Sequence, residues 1–194
     1  AETFQRLREK GLMLNPQTCV YSQNSLGFFG YVFSDQGISV DPEKVEEIVN
    51  LEVPSNSSEV RSLLRMTNYC SRLIPDYATL RQPLRELIQK NKPWEWTDQH
   101  KQAIAKLKDA LVTTPITAYF DPDKNTEICV DASPVGVAAI LAQTDPDGGN
   151  RHVVAYASKS LSDTEQRCSQ TKRGALAVVW GCEYFHLYIY GKPY

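Results

Sequence analysis

The chain has 194 residues, 42% apolar, and carries 21 basic against 23 acidic side chains, the composition of an ordinary soluble globular protein with room for one or two domains. It has no apolar run of membrane-spanning length and no basic-then-apolar leader, so the sequence predicts an intracellular protein, not secreted and with no membrane partner. Cys19, Cys70, Cys129, Cys168 and Cys182 are odd in number, widely spaced and without a Cys-x-x-Cys, which argues against a disulfide framework and a zinc site.

Three sections follow in chain order. Residues 1–53 read helix, strand, hairpin, helix. Ala1 to Arg8 starts inside an amphipathic helix without a cap. Leu26 to Phe33 and Ile38 to Val40 are apolar and aromatic-rich around the turn signal Ser34-Asp35-Gln36-Gly37, a hairpin pattern. Asp41-Pro42-Glu43-Lys44 then opens a helix, with Asp as N-cap and Pro at the first helical position.

Residues 54–113 are helical, punctuated by Pro54, Pro75, Pro83 and Pro93. A helix from Ser57 to Leu73 places Val60, Leu63, Leu64, Thr67 and Ile74 on one side. Arg61, Arg65 and Arg72 fall on another line, since steps of four and seven return to nearly the same face. Such a stripe fits a phosphate backbone, and it equally fits a solvated face. Trp94-Glu95-Trp96-Thr97 introduces a further helix, with Thr97 as N-cap and Ile104, Leu107 and Leu111 inward; the tryptophans read as packing before base stacking.

Residues 114–194 begin with three strands joined by short turns: Glu127 to Ser133, Gly136 to Gln143 and His152 to Ser158, with a turn at Asp145 to Asn150. Residues 111–150 carry six acids against one lysine, which marks this stretch as the place for a metal site. A long helix follows from Ser169, with Leu176, Val179, Cys182 and Leu187 expected against the sheet. Both chain ends read as cut from something longer.

These residues carry a resemblance. Phe28-Phe29-Gly30-Tyr31-Val32-Phe33-Ser34, Gly37-Ile38-Ser39-Val40-Asp41-Pro42-Glu43-Lys44-Val45, Val60-Arg61-Ser62-Leu63-Leu64, Asn68 to Asp76, Trp96-Thr97, Val130-Asp131-Ala132-Ser133, Gly136, Val154 to Ser158 and Tyr188 to Lys192 resemble, in order, the Pol polyprotein of gypsy-type long-terminal-repeat retrotransposons. Each piece is weak alone; their order and spacing are specific.

The resemblance implies an α+β fragment: the C-terminal end of a reverse-transcriptase palm with its hairpin (1–53), a helical thumb and connection region (54–113), and the N-terminal half of a ribonuclease H-like fold, a three-strand antiparallel meander plus a long helix (114–194). Phe29, Gly30 and Tyr31 then match the hairpin that holds a primer terminus, and Arg61, Arg65 and Arg72 match a helix contacting template-primer. The implied partners are an RNA–DNA hybrid or template-primer and the remainder of the Pol polyprotein, in the cytoplasm, the nucleus or a virus-like particle.

Asp131 matches the first catalytic carboxylate and metal ligand of ribonuclease H; away from the family it would read as a turn or capping residue. The chemistry is hydrolysis of RNA by two Mg2+ (or Mn2+) ions about 4 Å apart, which requires several converging carboxylates. The family's second ligand is glutamate, at position 174, and a glutamate is also usual at 172; this chain has Gly174 and Lys172. Neither binds magnesium. Glu165 and Glu183 each stand nine residues from 174, on the opposite face of a continuous helix, and no Asp-Asp pair of a polymerase box occurs. Arg65 stands where glycine is usual. The expectation is a chain derived from a polymerase and ribonuclease and inactive as it stands, or a non-catalytic hybrid-binding or protein-interaction module.

Overall fold

The computed structural model describes residues 2–15, 17, 19–89, 92–145 and 148–191, and these form an α+β chain with two antiparallel sheets of three strands each. The expected helix start at Ala1, the centre of the turn from Asp145 to Asn150, and Lys192 to Tyr194 lie outside the described residues. Helix α1 (Glu2–Glu9) is exposed throughout its described length or nearly so, with no buried residue.

The run from Leu26 to Phe33, expected as one strand, folds back on itself. Phe29 and Gly30 both have positive φ, 48° and 72°, and so form the centre of a two-residue hairpin turn. Strand β1 (Ser25–Phe28) pairs with β2 (Tyr31–Ser34), and β2 pairs across Asp35 and Gln36 with β3 (Gly37–Val40). The hairpin around Ser34 to Gly37 stands as expected. The first turn gave little signal because a phenylalanine rarely takes a left-handed conformation. Asp41 caps α2 (Pro42–Val49) by accepting from the Glu43 N–H at 3.1 Å, with Pro42 in the first turn.

Three helices share the larger core: α3 (Ser57–Tyr69), α4 (Tyr77–Leu87) and α5 (Asp98–Val112). Asn56 caps α3, its side-chain oxygen accepting from Ser58 and Glu59 N–H at 3.0 Å each. The expected apolar face is realised, with Val60, Leu63, Thr67 and Ile74 buried and Leu64 packed beside them. The helix itself ends at Tyr69, short of Leu73: Cys70–Arg72 form a 3-10 turn, and Asp76 at φ 49° redirects the chain into α4. Pro83 lies inside α4 and does not end it. At α5 the Thr97 N–H donates to His100 Nδ1 at 3.0 Å, so histidine fills the capping-box position usually held by glutamate. Trp96 packs on this core between the rings of Trp94 (5.6 Å) and His100 (5.5 Å).

Strands β4 (Asn125–Ala132), β5 (Gly136–Thr144) and β6 (Arg151–Ser160) form the expected meander in the order β4-β5-β6. Two short helices, α6 (Asp163–Gln166) and α8 (His186–Ile189), flank the long α7 (Gln170–Tyr184), which covers one face of the sheet. The expected contact residues are only partly right. Leu176 packs inward, but Val179 and Leu187 are exposed, and the buried stripe is Ala177, Gly181 and Phe185. Small residues face the sheet because the approach is close: a Cβ on Gly181 would lie 3.0 Å from Val130 Cγ1 and 3.3 Å from Ala139 Cβ. The stripe was missed by weighting large apolar residues.

The sheet docks on the earlier sections through specific bonds. Ile38 and Thr117 exchange backbone hydrogen bonds, Ile38 N–H to Thr117 O at 2.8 Å and Thr117 N–H to Ile38 O at 2.9 Å. Gly37 makes that approach possible, since at φ 129° an added Cβ would sit 2.2 Å from the Thr117 carbonyl oxygen. Ala78 N–H donates to Ser158 Oγ at 2.9 Å, and Arg72 Nη2 to Tyr188 Oη at 3.0 Å. Among the described residues no helix is long and apolar enough to cross a membrane.

Candidate nucleic-acid interface and carboxylate site

The three hairpin residues singled out by sequence have different surroundings. Phe29 projects from the turn, 79% exposed, with its ring 4.4 Å from Phe28. Gly30 is pressed against α3, where a Cβ would meet Tyr69 Oη at 2.6 Å, and its carbonyl accepts from Asp41 N–H. Tyr31 donates from its hydroxyl to the Tyr69 carbonyl at 2.6 Å and lays its ring 4.7 Å from that of Tyr69. Burial raises the pKa of the Tyr31 hydroxyl and pushes that of Tyr69 up to about 12. Gly30 and Tyr31 therefore brace the hairpin on the helix, while Phe29 is the one of the three free to touch another molecule.

The arginines do not stay on one line. Arg61 and Arg65 line an open groove of about 780 Å³ bounded by α3, α4, β6 and α7. Arg72 falls outside it, because α3 has already ended and the tighter 3-10 turn carries residue 72 off the stripe toward Tyr188. Two residues that sequence reasoning passed over take its place: Arg81 and Arg85, four apart on α4, with Lys159 of β6 across from them. Their signal was the spacing of four, hidden until the chain reverses between α3 and α4. Arg81 is held by Asn68 Oδ1 at 3.1 Å and sits over the Tyr77 ring at 5.0 Å, and Lys159 pairs with Glu165 at 2.9 Å. Arg61, Arg65 and Arg85 are exposed, and among the described residues they have no carboxylate partner.

Asp131 lies near the C-terminal end of β4, the strand whose outer edge is unpaired among the described residues. Alternation along the strand exposes Glu127, Cys129 and Asp131 and turns Ile128, Val130 and Ala132 toward α7. The Asp131 Oδ1 accepts from the following Ala132 N–H at 2.8 Å, the local bond of a turn residue, which leaves the carboxylate open to solvent.

Helix α7 begins beside this strand end. Ser169 caps it, accepting from Lys172 N–H at 3.4 Å, and Gln170 Nε2 donates to the Ala132 carbonyl at 2.8 Å. Gly174 is one turn beyond Gln170 and one turn before the buried Ala177, so position 174 belongs to the stripe that faces β4. A Cβ placed there meets nothing within 4 Å. Position 174 shares a helix stripe with Gln170, which bonds the Ala132 carbonyl beside Asp131, and with the buried Ala177; a side chain there would have room, and glycine supplies none. Lys172 is exposed.

The remaining acids are engaged or distant. Glu165 is not on a continuous helix with position 174, as the nine-residue count assumed; the chain breaks between α6 and α7 at Arg167 to Ser169. Its carboxylate accepts from the N–H and hydroxyl of Ser162 at 2.7 Å each and from Lys159 at 2.9 Å, which together hold its pKa down to about 2. Glu183 is exposed near the far end of α7. Cys182 and His186, a spacing of four that would share a face on one helix, fall on separate helices divided by Phe185. Among the described residues, no three His, Cys, Asp or Glu side chains come together as a metal site would require.

Residues 96–194 match the family described as the RNase H-like domain found in reverse transcriptase. The whole chain is 33% identical, over 195 residues, to the retrovirus-related Pol polyprotein from transposon 412 of Drosophila melanogaster, and it spans 15% of that protein. It is 30% identical over 97% of its length to the transposon Tf2-3 polyprotein of Schizosaccharomyces pombe, spanning 14% of it. Its fold is similar to that of the foamy viral protease-reverse transcriptase solved in complex with RNA/DNA hybrid, with a TM-score of 0.83 at 20% identity, over 99% of this chain and 26% of that one. The same protein in complex with dsDNA gives a TM-score of 0.81 at 20% identity, covering 99% and 40% of the two chains.

Proposed function

From the premise that the chain belongs to the RNase H-like domain family of reverse transcriptases and is a segment of a retrotransposon Pol polyprotein, we propose that it derives from an RNA-directed DNA polymerase and ribonuclease H and does not itself cleave RNA. The observation that carries this is Gly174: one turn after Gln170, which bonds the backbone next to Asp131, the helix has open space and no donor side chain. In the parent activity, magnesium or manganese held by several carboxylates supplies the activated water and stabilises the leaving oxygen. Asp131 alone offers one carboxylate from one edge, with its Oδ1 already engaged by its neighbour's N–H. The described residues do not fit a metal pair.

What this chain's residues do is hold nucleic acid. Arg61, Arg65 and Arg85, without carboxylate partners among the described residues, line one groove together with Arg81, which Asn68 holds, a surface suited to the phosphates of an RNA–DNA hybrid or template-primer. Phe29 extends an exposed aromatic ring from the hairpin. The proposed setting is inside the cell, in the cytoplasm, the nucleus or a virus-like particle, as part of the Pol polyprotein.

The test is incubation of the folded chain with a labelled RNA–DNA hybrid in magnesium and in manganese, beside Asp131→Asn. No cleavage is expected above that variant, together with binding that weakens steeply as salt rises. Cleavage lost in Asp131→Asn would overturn the inactive reading, and binding indifferent to salt would overturn the holding reading.

A further inference from the structure

We propose that the groove between α3, α4, β6 and α7 is a binding site for a single-stranded polynucleotide, in which Tyr184 and Trp180 stack on bases while Arg61, Arg65 and Arg85 hold phosphates. This rests on the nucleic-acid-holding reading and narrows it from paired to unpaired strands.

The groove combines two chemistries on opposite walls. The helices α3 and α4 supply guanidinium groups without carboxylate partners among the described residues. The other wall is aromatic. Tyr184 is 49% exposed, and its ring lies 5.4 Å from that of Trp180 at an interplanar angle of 41°, so the two make a tilted surface at the groove's side. Phosphate contacts alone would suit a duplex as well as a single strand. An exposed ring such as Tyr184 beside them, backed by the half-buried Trp180, does not, because a duplex keeps its base faces stacked inside and offers a protein only backbone and groove edges. An unpaired strand presents base faces that stack on aromatic side chains while its phosphates meet cations. Polar capacity is also left over: Arg81 Nε and Ser160 Oγ, both in residues lining the groove, are buried without a hydrogen-bond partner among the described residues.

The composition of the walls also makes the site composite. Guanidinium groups come from helices ahead of residue 90 and rings from α7, and the two are held together by the Ala78 to Ser158 bond. Neither half alone supplies both the α7 rings and the guanidinium groups of the groove.

The experiment is a fluorescence-anisotropy titration of the folded chain with labelled oligothymidylate, oligouridylate and a blunt RNA–DNA hybrid of equal length. Both the unmodified chain and Tyr184→Ala are measured, with Tyr184→Phe to keep the ring and control for the contact of Tyr184 with Phe185. At least one single strand should bind more tightly than the blunt hybrid. Tyr184→Ala should weaken that binding about tenfold while Tyr184→Phe keeps it, and the hybrid should lose less than twofold. The two homopolymers separate a DNA ligand from an RNA one. Hybrid binding at least as tight as that of the tighter single strand, or single-strand binding that Tyr184→Ala leaves intact, refutes the inference while leaving the holding function in place. Absence of binding to all three refutes both.

Discussion

The helical section and the meander differ in how they close their cores. Helices α3, α4 and α5 bury side chains against one another on all inward faces, with Val60, Cys70, Ile74 and Leu84 fully shielded. The sheet has α7 across one face, held by Ala177, Gly181 and Phe185, and α4 against β5 and β6, while β4 exposes Glu127, Cys129 and Asp131 and an edge unpaired among the described residues. An edge strand has unpaired backbone groups, and the exposed face of β4 gains little from burial. The candidate carboxylate therefore sits on the less protected part of the molecule, and the candidate nucleic-acid groove is walled by the better protected part, with the sheet as its other side.

Native-state hydrogen exchange tests this contrast most severely. Leu84→Ala, which empties a site in the helical core, should cost about 3 kcal/mol and release α3 and α4 together. In the unmodified chain the β4 amides should exchange before those of α3 and α4. Uniform protection across residues 57–160 would erase the distinction.

A smaller effect concerns the joint between sheet and α7. Glu165 has its pKa lowered to about 2, chiefly by the N–H and hydroxyl of Ser162 and then by Lys159, so its contribution is present above the ordinary value of 4.5 and is lost as the pH falls toward 2. Glu165→Ala should cost about 1 kcal/mol at neutral pH, as for loss of a helix cap. Denaturation curves of the two proteins should converge across that acid window; a constant gap down to pH 2 would mean that the carboxylate's charge is not what holds α6. The smallest change sharpens the view of α7 itself. Gly174→Ala should raise stability by about 0.5–1 kcal/mol, since the position is helical and its Cβ meets nothing, and a loss would show that the space is not open.

How far the sequence could be read depended on which physical signal each element used. The caps at Asp41 and Thr97, the buried face of α3 and the three strands of the meander followed from side-chain types and periodicity, and all stand in the structure. Three features did not follow. The turn at Phe29-Gly30 depends on a left-handed phenylalanine, which composition does not announce. The contact of α7 with the sheet runs through alanine and glycine, because closeness rather than bulk decides it. The basic groove depends on α4 returning beside α3, so Arg81 and Arg85 gained meaning only in three dimensions, while Arg72 lost its place when the helix ended early. At the carboxylate site, Asp131 and Gly174 were legible as residue types, and the structure adds that a side chain at position 174 would meet nothing within 4 Å.

In the proposed function, Gly174 leaves Asp131 without a second ligand. Calorimetric titration of manganese into the chain, Asp131→Asn, Gly174→Glu and the double variant addresses it without relying on turnover. The unmodified chain should bind no more tightly than Asp131→Asn, and Gly174→Glu should gain a site that the added Asp131→Asn change removes. A site in the unmodified chain that disappears on Asp131→Asn would contradict the claim.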